Sequence, residues 1–200
     1  MESEVRSDPD IDPQDGPAQN GESLSQESFE LCDQEIYTAQ VNNISCTSSH
    51  LSFESSGLPD PSATVMTGIS ATNQQYPRPH NLELSFPLIP TKINDPVFPE
   101  PGAIGVAVDG VPLFSPWTQG EILSHTAEVG ELDVCGGHAG RGDDYHYHVA
   151  PSCLIELLGE KHVEERGWPI GIANDGNPIR ALGWFDESNR VEEQLDSCRG

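Results

Sequence analysis

The stretch "HAGRGDDYHYHVAP", residues 138–151, holds three of the chain's seven histidines and two of its four tyrosines. Side chains at i and i+2 of a strand share a face. His146 and His148 therefore project together, while Tyr145 and Tyr147 turn the other way, into a half-buried sheet. His138 precedes this pair across "AGRGDDY", whose two glycines let the chain fold back and bring the third imidazole alongside. Three imidazoles suit Zn(II) or Cu(II) and leave a coordination position for water or substrate. Asp133, Asp143 and Asp144 are candidates to accept the far ring N–H of a ligating histidine, or to act as a fourth ligand. The competing reading is an exposed polar strand face, or buried rings bonded to the backbone. The grouping of three histidines favours the metal site, because crowding imidazoles together is costly without a shared purpose. No HExxH or similar general-base arrangement accompanies them, so the pattern supports a site rather than a reaction. His125 and His162 read as surface or helix-face residues, and His50 and His80 as weaker candidates still.

Cysteines flank this stretch. Cys135 lies three residues before His138 and Cys153 five after His148. A Cys135–Cys153 bridge would close the loop that carries all three histidines and restrict its unfolded state by about 3 kcal/mol. The alternative makes Cys135 a thiolate ligand. An oxidising compartment favours the bridge and a reducing one the ligand. None of the five cysteines forms a CxxC pair, which argues against a zinc ribbon. "RGD" at 141–143 and the sequon Asn43-Ile44-Ser45 are short enough to arise by chance.

The elements that must position the histidines read as short strands. "EIYTAQVNNIS", "HLSFESSGLPD" and "LELSFPLIP" show alternation and turn punctuation. Prolines at 87, 90, 96, 99 and 101 make residues 87–102 an extended crossing. One short helix is expected from Ser152, as its cap, to Leu158, with continuation past Gly159 to Arg166. A frame Gly-x-Ala-x-Asp-Gly-x-Pro, then Leu-Asp-x-Cys-x-Gly, occurs twice: "GVAVDGVPLF" with "LDVCGG", and "GIANDGNPIR" with "LDSCRG". Two related β-units packed together follow from this repeat. Its Asp-Gly pairs, Asp109-Gly110 and Asp175-Gly176, read as hairpin turns of type I′ rather than as catalytic carboxylates. The fold expected is a mainly β, sandwich-like single domain over 35–200, built from two related β-units, with one short helix near 152–166.

Residues 1–34 read as a disordered acidic tail. They are rich in Asp, Glu, Ser, Gln, Gly and Pro, and Arg6 is their only basic residue. "SDPDIDPQDG" fails as a calcium loop, with Pro13 where glycine and Gln19 where glutamate belong. A formal charge of −24 repels phosphate, which argues against nucleic acid and anionic membrane as partners. No run approaches eighteen apolar residues. "MESEVRSDPD" has neither the basic start nor the apolar run of a secretory signal.

"ELDVCGGHAGRGDDYHYHVAPSCL" followed by "WPIGIANDGNPI" resembles the YHYH domain family, named for the motif at Tyr145–His148. "GAIGVAVDGVPLF" and the upstream "SSGLPD" fit that family's order of motifs. The resemblance spans about residues 35–200 and implies a β-rich domain, a role for His138, His146 and His148, and a secreted or surface-associated protein. It supplies no reaction. Pro61 stands where family members tend to carry histidine, and "IRALGWF" departs from their aromatic-glycine phrase. The chain stops at Gly200, where its own repeat would call for another histidine, so a C-terminally incomplete domain is expected. Three functions follow: a transition-metal-binding protein; a metal-dependent hydrolase or oxidase using the open coordination position; or an extracellular interaction module whose histidines only order a loop. A protein partner is not identified by any motif.

Overall fold

The structure, a computed structural model, describes residues 30–71, 75–91, 102–117, 130–140 and 142–190. Arg141, His125, the second "LDSCRG" and most of the acidic tail lie outside these residues. Among the described residues the fold is mainly β, with two sheets and one short helix. Strands β1 (Val41–Cys46), β2 (His50–Ser55) and β3 (Leu82–Pro87) form an antiparallel three-stranded sheet. In β2, Leu51, Phe53 and Ser55 are buried and their neighbours are not, which is the two-residue period expected of a one-sided strand. Glu35 and Ile36, expected to be extended, instead belong to a 3-10 turn, Gln34–Ile36, capped by Asp33, whose carboxylate accepts the Glu35 N–H.

The second sheet holds β4 (Ala103–Ala107), β5 (Pro112–Phe114), β6 (Gly137–Ala139), β7 (Tyr145–Tyr147), β8 (Gly171–Ala173) and β9 (Pro178–Ile179) in the order β6-β7-β5-β4-β8-β9. The sequence repeat is visible in this order. Hairpins β4–β5 and β8–β9 share one register: Val106 faces Pro112 and Ile172 faces Pro178. Their lead strands pair antiparallel with Gly105 opposite Ala173, Val106 opposite Ile172 and Ala107 opposite Gly171. Equivalent residues of the two copies thus exchange places across the Val106–Ile172 pair, as a local two-fold axis requires. Both turns close by the same bonds, from Gly110 N–H to Ala107 O and from Gly176 N–H to Ala173 O.

The turns correct the expectation of type I′ geometry. Only the glycine takes positive φ, +78° at Gly110 and +90° at Gly176, while Asp109 and Asp175 do not. The loop has three residues and ends on a left-handed glycine, the alternative way to match strand twist. Both glycines abut the small sheet: Gly110 against Ser55 and Val41, Gly176 against the Pro87 carbonyl. One apolar core then unites Leu51, Phe53 and Phe86 of one sheet with Val106, Ile172, Tyr145 and Tyr147 of the other.

Helix α1 (Ser152–Glu160) covers this core with Leu154 and runs into a π-type turn over Lys161–Glu165, broken at Gly159 (φ 75°, ψ 171°). Ser152 does not cap it. Pro151 holds the cap position, and the Ser152 hydroxyl donates instead to Val134 O at 2.9 Å. His162, expected at the surface or on a helix face, lies in this helical turn and is buried: its ring meets Trp168 edge-on and its Nε2 lies 2.9 Å from Pro169 O. Two disulfides are formed, Cys135–Cys153 and Cys32–Cys46. The second, with buried Leu31 and an ion pair from Arg180 to Glu30, carries the packed chain back to residue 30, inside the stretch read as tail.

Candidate metal centre

The β6–β7 hairpin builds the histidine cluster. Its loop closes through Gly140 N–H to Asp144 O and Asp143 N–H to Gly140 O, with Asp143 itself at φ +58°. This register sets His138 directly opposite His146. Directly opposed residues on antiparallel strands share a face, with Cβ atoms about 5 Å apart. His148 is the i+2 neighbour of His146 and completes a triangle. The ring centroids lie 4.8 Å (138–146), 5.1 Å (138–148) and 4.9 Å (146–148) apart. One ligand nitrogen from each residue falls within 4.8 Å of the others. Tetrahedral coordination at the usual Zn–N length needs about 3.3 Å between nitrogens, so an ion would draw the rings inward by small side-chain rotations.

Two of the rings have a fixed tautomer. His148 Nδ1 lies 2.6 Å from Ser115 O and His146 Nδ1 lies 3.1 Å from Asp144 O. A carbonyl oxygen only accepts, so both Nδ1 atoms carry hydrogen and both Nε2 lone pairs are left for a ligand. Backbone engagement, the reading that competed with a metal site, is thus observed at two of the three rings, where it occupies Nδ1 and leaves Nε2. Among the described residues no hydrogen-bond partner is seen for the His138 ring.

Burial favours the uncharged form of His146 and His138. It pushes His146 down to about 4, helped by the neighbouring His138 and His148 and opposed by Asp144. His138 is also held below the ordinary imidazole range, by burial first and then by His148. At neutral pH His146 is therefore an unprotonated base, the form that binds metal. Phe114 forms an apolar wall, stacked on His146 at 4.0 Å and edge-on to His148 at 5.9 Å.

The acidic candidates separate. Asp144 stands beside the cluster, its carboxylate 3.6 Å from His146 Nδ1. Asp143 pairs with Arg78 at 3.1 Å. Asp133 is buried and accepts from the backbone of Met66, Cys135 and Gly137 and from the Tyr145 hydroxyl, and among the described residues from no histidine. Cys135 is joined to Cys153, which removes it as a thiolate ligand. Behind β7, Tyr145 and Tyr147 are each 1% exposed, with rings 5.5 Å apart and edge-to-face. Tyr147 donates to Asp109 at 3.0 Å.

Sequence reading missed Phe114, the Ser115 carbonyl, the Asp109–Tyr147 bond and the Cys32–Cys46 bridge. The repeat did carry a signal for the first. Arg180 occupies the place in the second copy that Phe114 holds in the first, so the aromatic is peculiar to the half that bears the histidines.

No curated protein and no solved structure matches the chain. A family model described as YHYH protein matches residues 83–197, more than half of the chain. That span takes in β3 but for its first residue, β4 to β9, both Asp-Gly turns and the whole histidine hairpin, and on it the chain belongs to the YHYH protein family.

Proposed function

We propose that the protein binds a divalent transition metal ion, copper or zinc, through His138, His146 and His148. The observation that carries this is the convergence of three imidazoles whose Nδ1 atoms, in two of the three, are already spent on carbonyl oxygens. Imidazole nitrogens suit both metals. Sequestration or presentation of metal is the role that needs nothing further from the chain. Two disulfides fit an oxidising compartment, and no described helix is long and apolar enough to cross a membrane. We place the protein outside the cell or at its surface on that basis.

Elemental analysis of purified protein beside a His146→Ala/His148→Ala variant tests the site. Near-stoichiometric metal in the parent and its loss in the variant are expected. Equal metal content in both would remove the proposal.

A second function rests on ligand number. Among the described residues three groups converge rather than four, and His138 and His148 are only half-buried. Three protein ligands with a free position is the arrangement of catalytic rather than structural zinc. Hydrolysis of an activated ester, or dioxygen uptake by the copper-loaded protein, at rates abolished in the same double variant, would mark the site as an enzyme's.

A further inference from the structure

Strand β7 is paired with β6 along its whole length but is thinly held on its other side. It is three residues long, and on its β5 side a single pair, Leu113–Tyr147, forms the ladder. Yet it must fix two of the three imidazoles. Its two tyrosines reach in opposite directions across the sheet. Tyr145 donates 2.8 Å to Asp133, which lies on the chain entering β6, and Tyr147 donates 3.0 Å to Asp109, in the β4–β5 turn. One anchor stands on each flank of the strand. Both carboxylates belong to the duplicated frame: Asp109 is its Asp-Gly aspartate and Asp133 its Leu-Asp aspartate.

The second copy of the frame provides an internal control. Asp175 performs the same turn, accepting the Asn177 N–H at 3.1 Å as Asp109 accepts Val111 N–H at 3.1 Å. Asp175 is exposed, whereas Asp109 is 1% exposed. The turn therefore does not require a buried carboxylate. Burial pushes Asp109 up to about 7, a cost that the turn alone does not explain. Among the described residues, the Tyr147 hydroxyl is a contact that Asp109 makes and that has no counterpart at Asp175.

We infer that Asp109 and Asp133 are positioning residues for the metal centre: acting through the Tyr147 and Tyr145 hydroxyls, they set the slide and roll of β7 and so the convergence of His146 and His148 with His138. This rests on the metal-binding function proposed above. It also assigns the two tyrosines of the motif a task distinct from filling the core, since a phenylalanine would fill the same volume and could not be anchored.

The test uses the full chain, Co(II) as the spectroscopic probe, and the variants Tyr145→Phe, Tyr147→Phe, Asp109→Asn and Asp109→Asn/Tyr147→Phe. Far-UV circular dichroism establishes that each is folded. The Tyr→Phe changes delete one oxygen each, so they carry the test if the aspartate variants fail to fold. Expected are a loss of Co(II) affinity of about tenfold or more in each tyrosine variant, the range found when a partner behind a ligand is removed, and a changed ligand-field spectrum. The Asp109→Asn/Tyr147→Phe double variant should bind no more weakly than the worse of its two parents, because both changes act on the one Tyr147–Asp109 contact, which Tyr147→Phe removes. Folded tyrosine variants with parental affinity and spectrum overturn the positioning role and leave the metal site standing. A parent protein that takes up no Co(II) overturns both.

Discussion

His146 and Asp109 are buried ionisable groups that burial shifts in opposite directions, one to about 4 and the other to about 7. In the unfolded chain they titrate near 6.5 and 3.8. The folded state resists protonation of His146, so that residue's contribution is full above pH 6.5 and is lost as pH falls toward 4. The folded state holds the Asp109 proton, so its contribution is full below pH 3.8 and is lost as pH rises through 7. Over the shared window the two oppose each other and flatten the profile of the metal-free protein. Asp109→Asn removes one side of that balance. Its stability should therefore fall more steeply than the parent's between pH 6.5 and 4, by a few kcal/mol across the range, as read by urea denaturation at stepped pH. A parallel pair of curves would show that Asp109 carries no proton in the folded state.

At the scale of elements, the paired hairpins meet the small sheet through their turn glycines. Gly176 combines φ +90° with a carbonyl, Pro87 O, where a Cβ would have to sit. Backbone cannot swing aside as a side chain can. Gly176→Ala should cost at least about 2 kcal/mol, against about 1 kcal/mol for Gly167→Ala, where φ is +61° but only Leu182 lies near. Equal midpoints for the two variants in chemical denaturation would refute the packing of this turn on β3. The hairpins themselves were legible in the sequence, because a repeated Asp-Gly between apolar residues marks a turn wherever it occurs. So was the histidine face, since strand alternation alone separates His146 and His148 from the tyrosines. What the sequence did not disclose were contacts between distant segments. Tyr147 and Asp109 are 38 residues apart, and nothing local to either names the other. Ser115 enters as a carbonyl, which has no side-chain signature. Leu31 and Cys32 sit in acidic surroundings whose average composition hides the few residues that pack.

For the molecule as a whole, two bridges carry much of the stability. Their ends are 14 and 18 residues apart, and each is worth about 3 kcal/mol by the loop it closes. Together they amount to about 6 kcal/mol, which is comparable with the entire stability of an ordinary domain. Reduction with excess dithiothreitol should unfold the protein, or lower its Tm by tens of degrees, as followed by circular dichroism; an unchanged melting curve would show that the two sheets hold without the bridges. Bridge Cys135–Cys153 also spans the histidine hairpin, so a Cys135→Ser/Cys153→Ser variant should bind the proposed metal more weakly than the parent. The exchange of places across Val106 and Ile172 has one more consequence. Each hairpin offers its neighbour the same strand edge that two separate, identical polypeptides would offer each other. A gene encoding a single hairpin would have built this seam from a pair of chains. Joining the copies in one chain makes that seam intramolecular, so its formation does not depend on protein concentration.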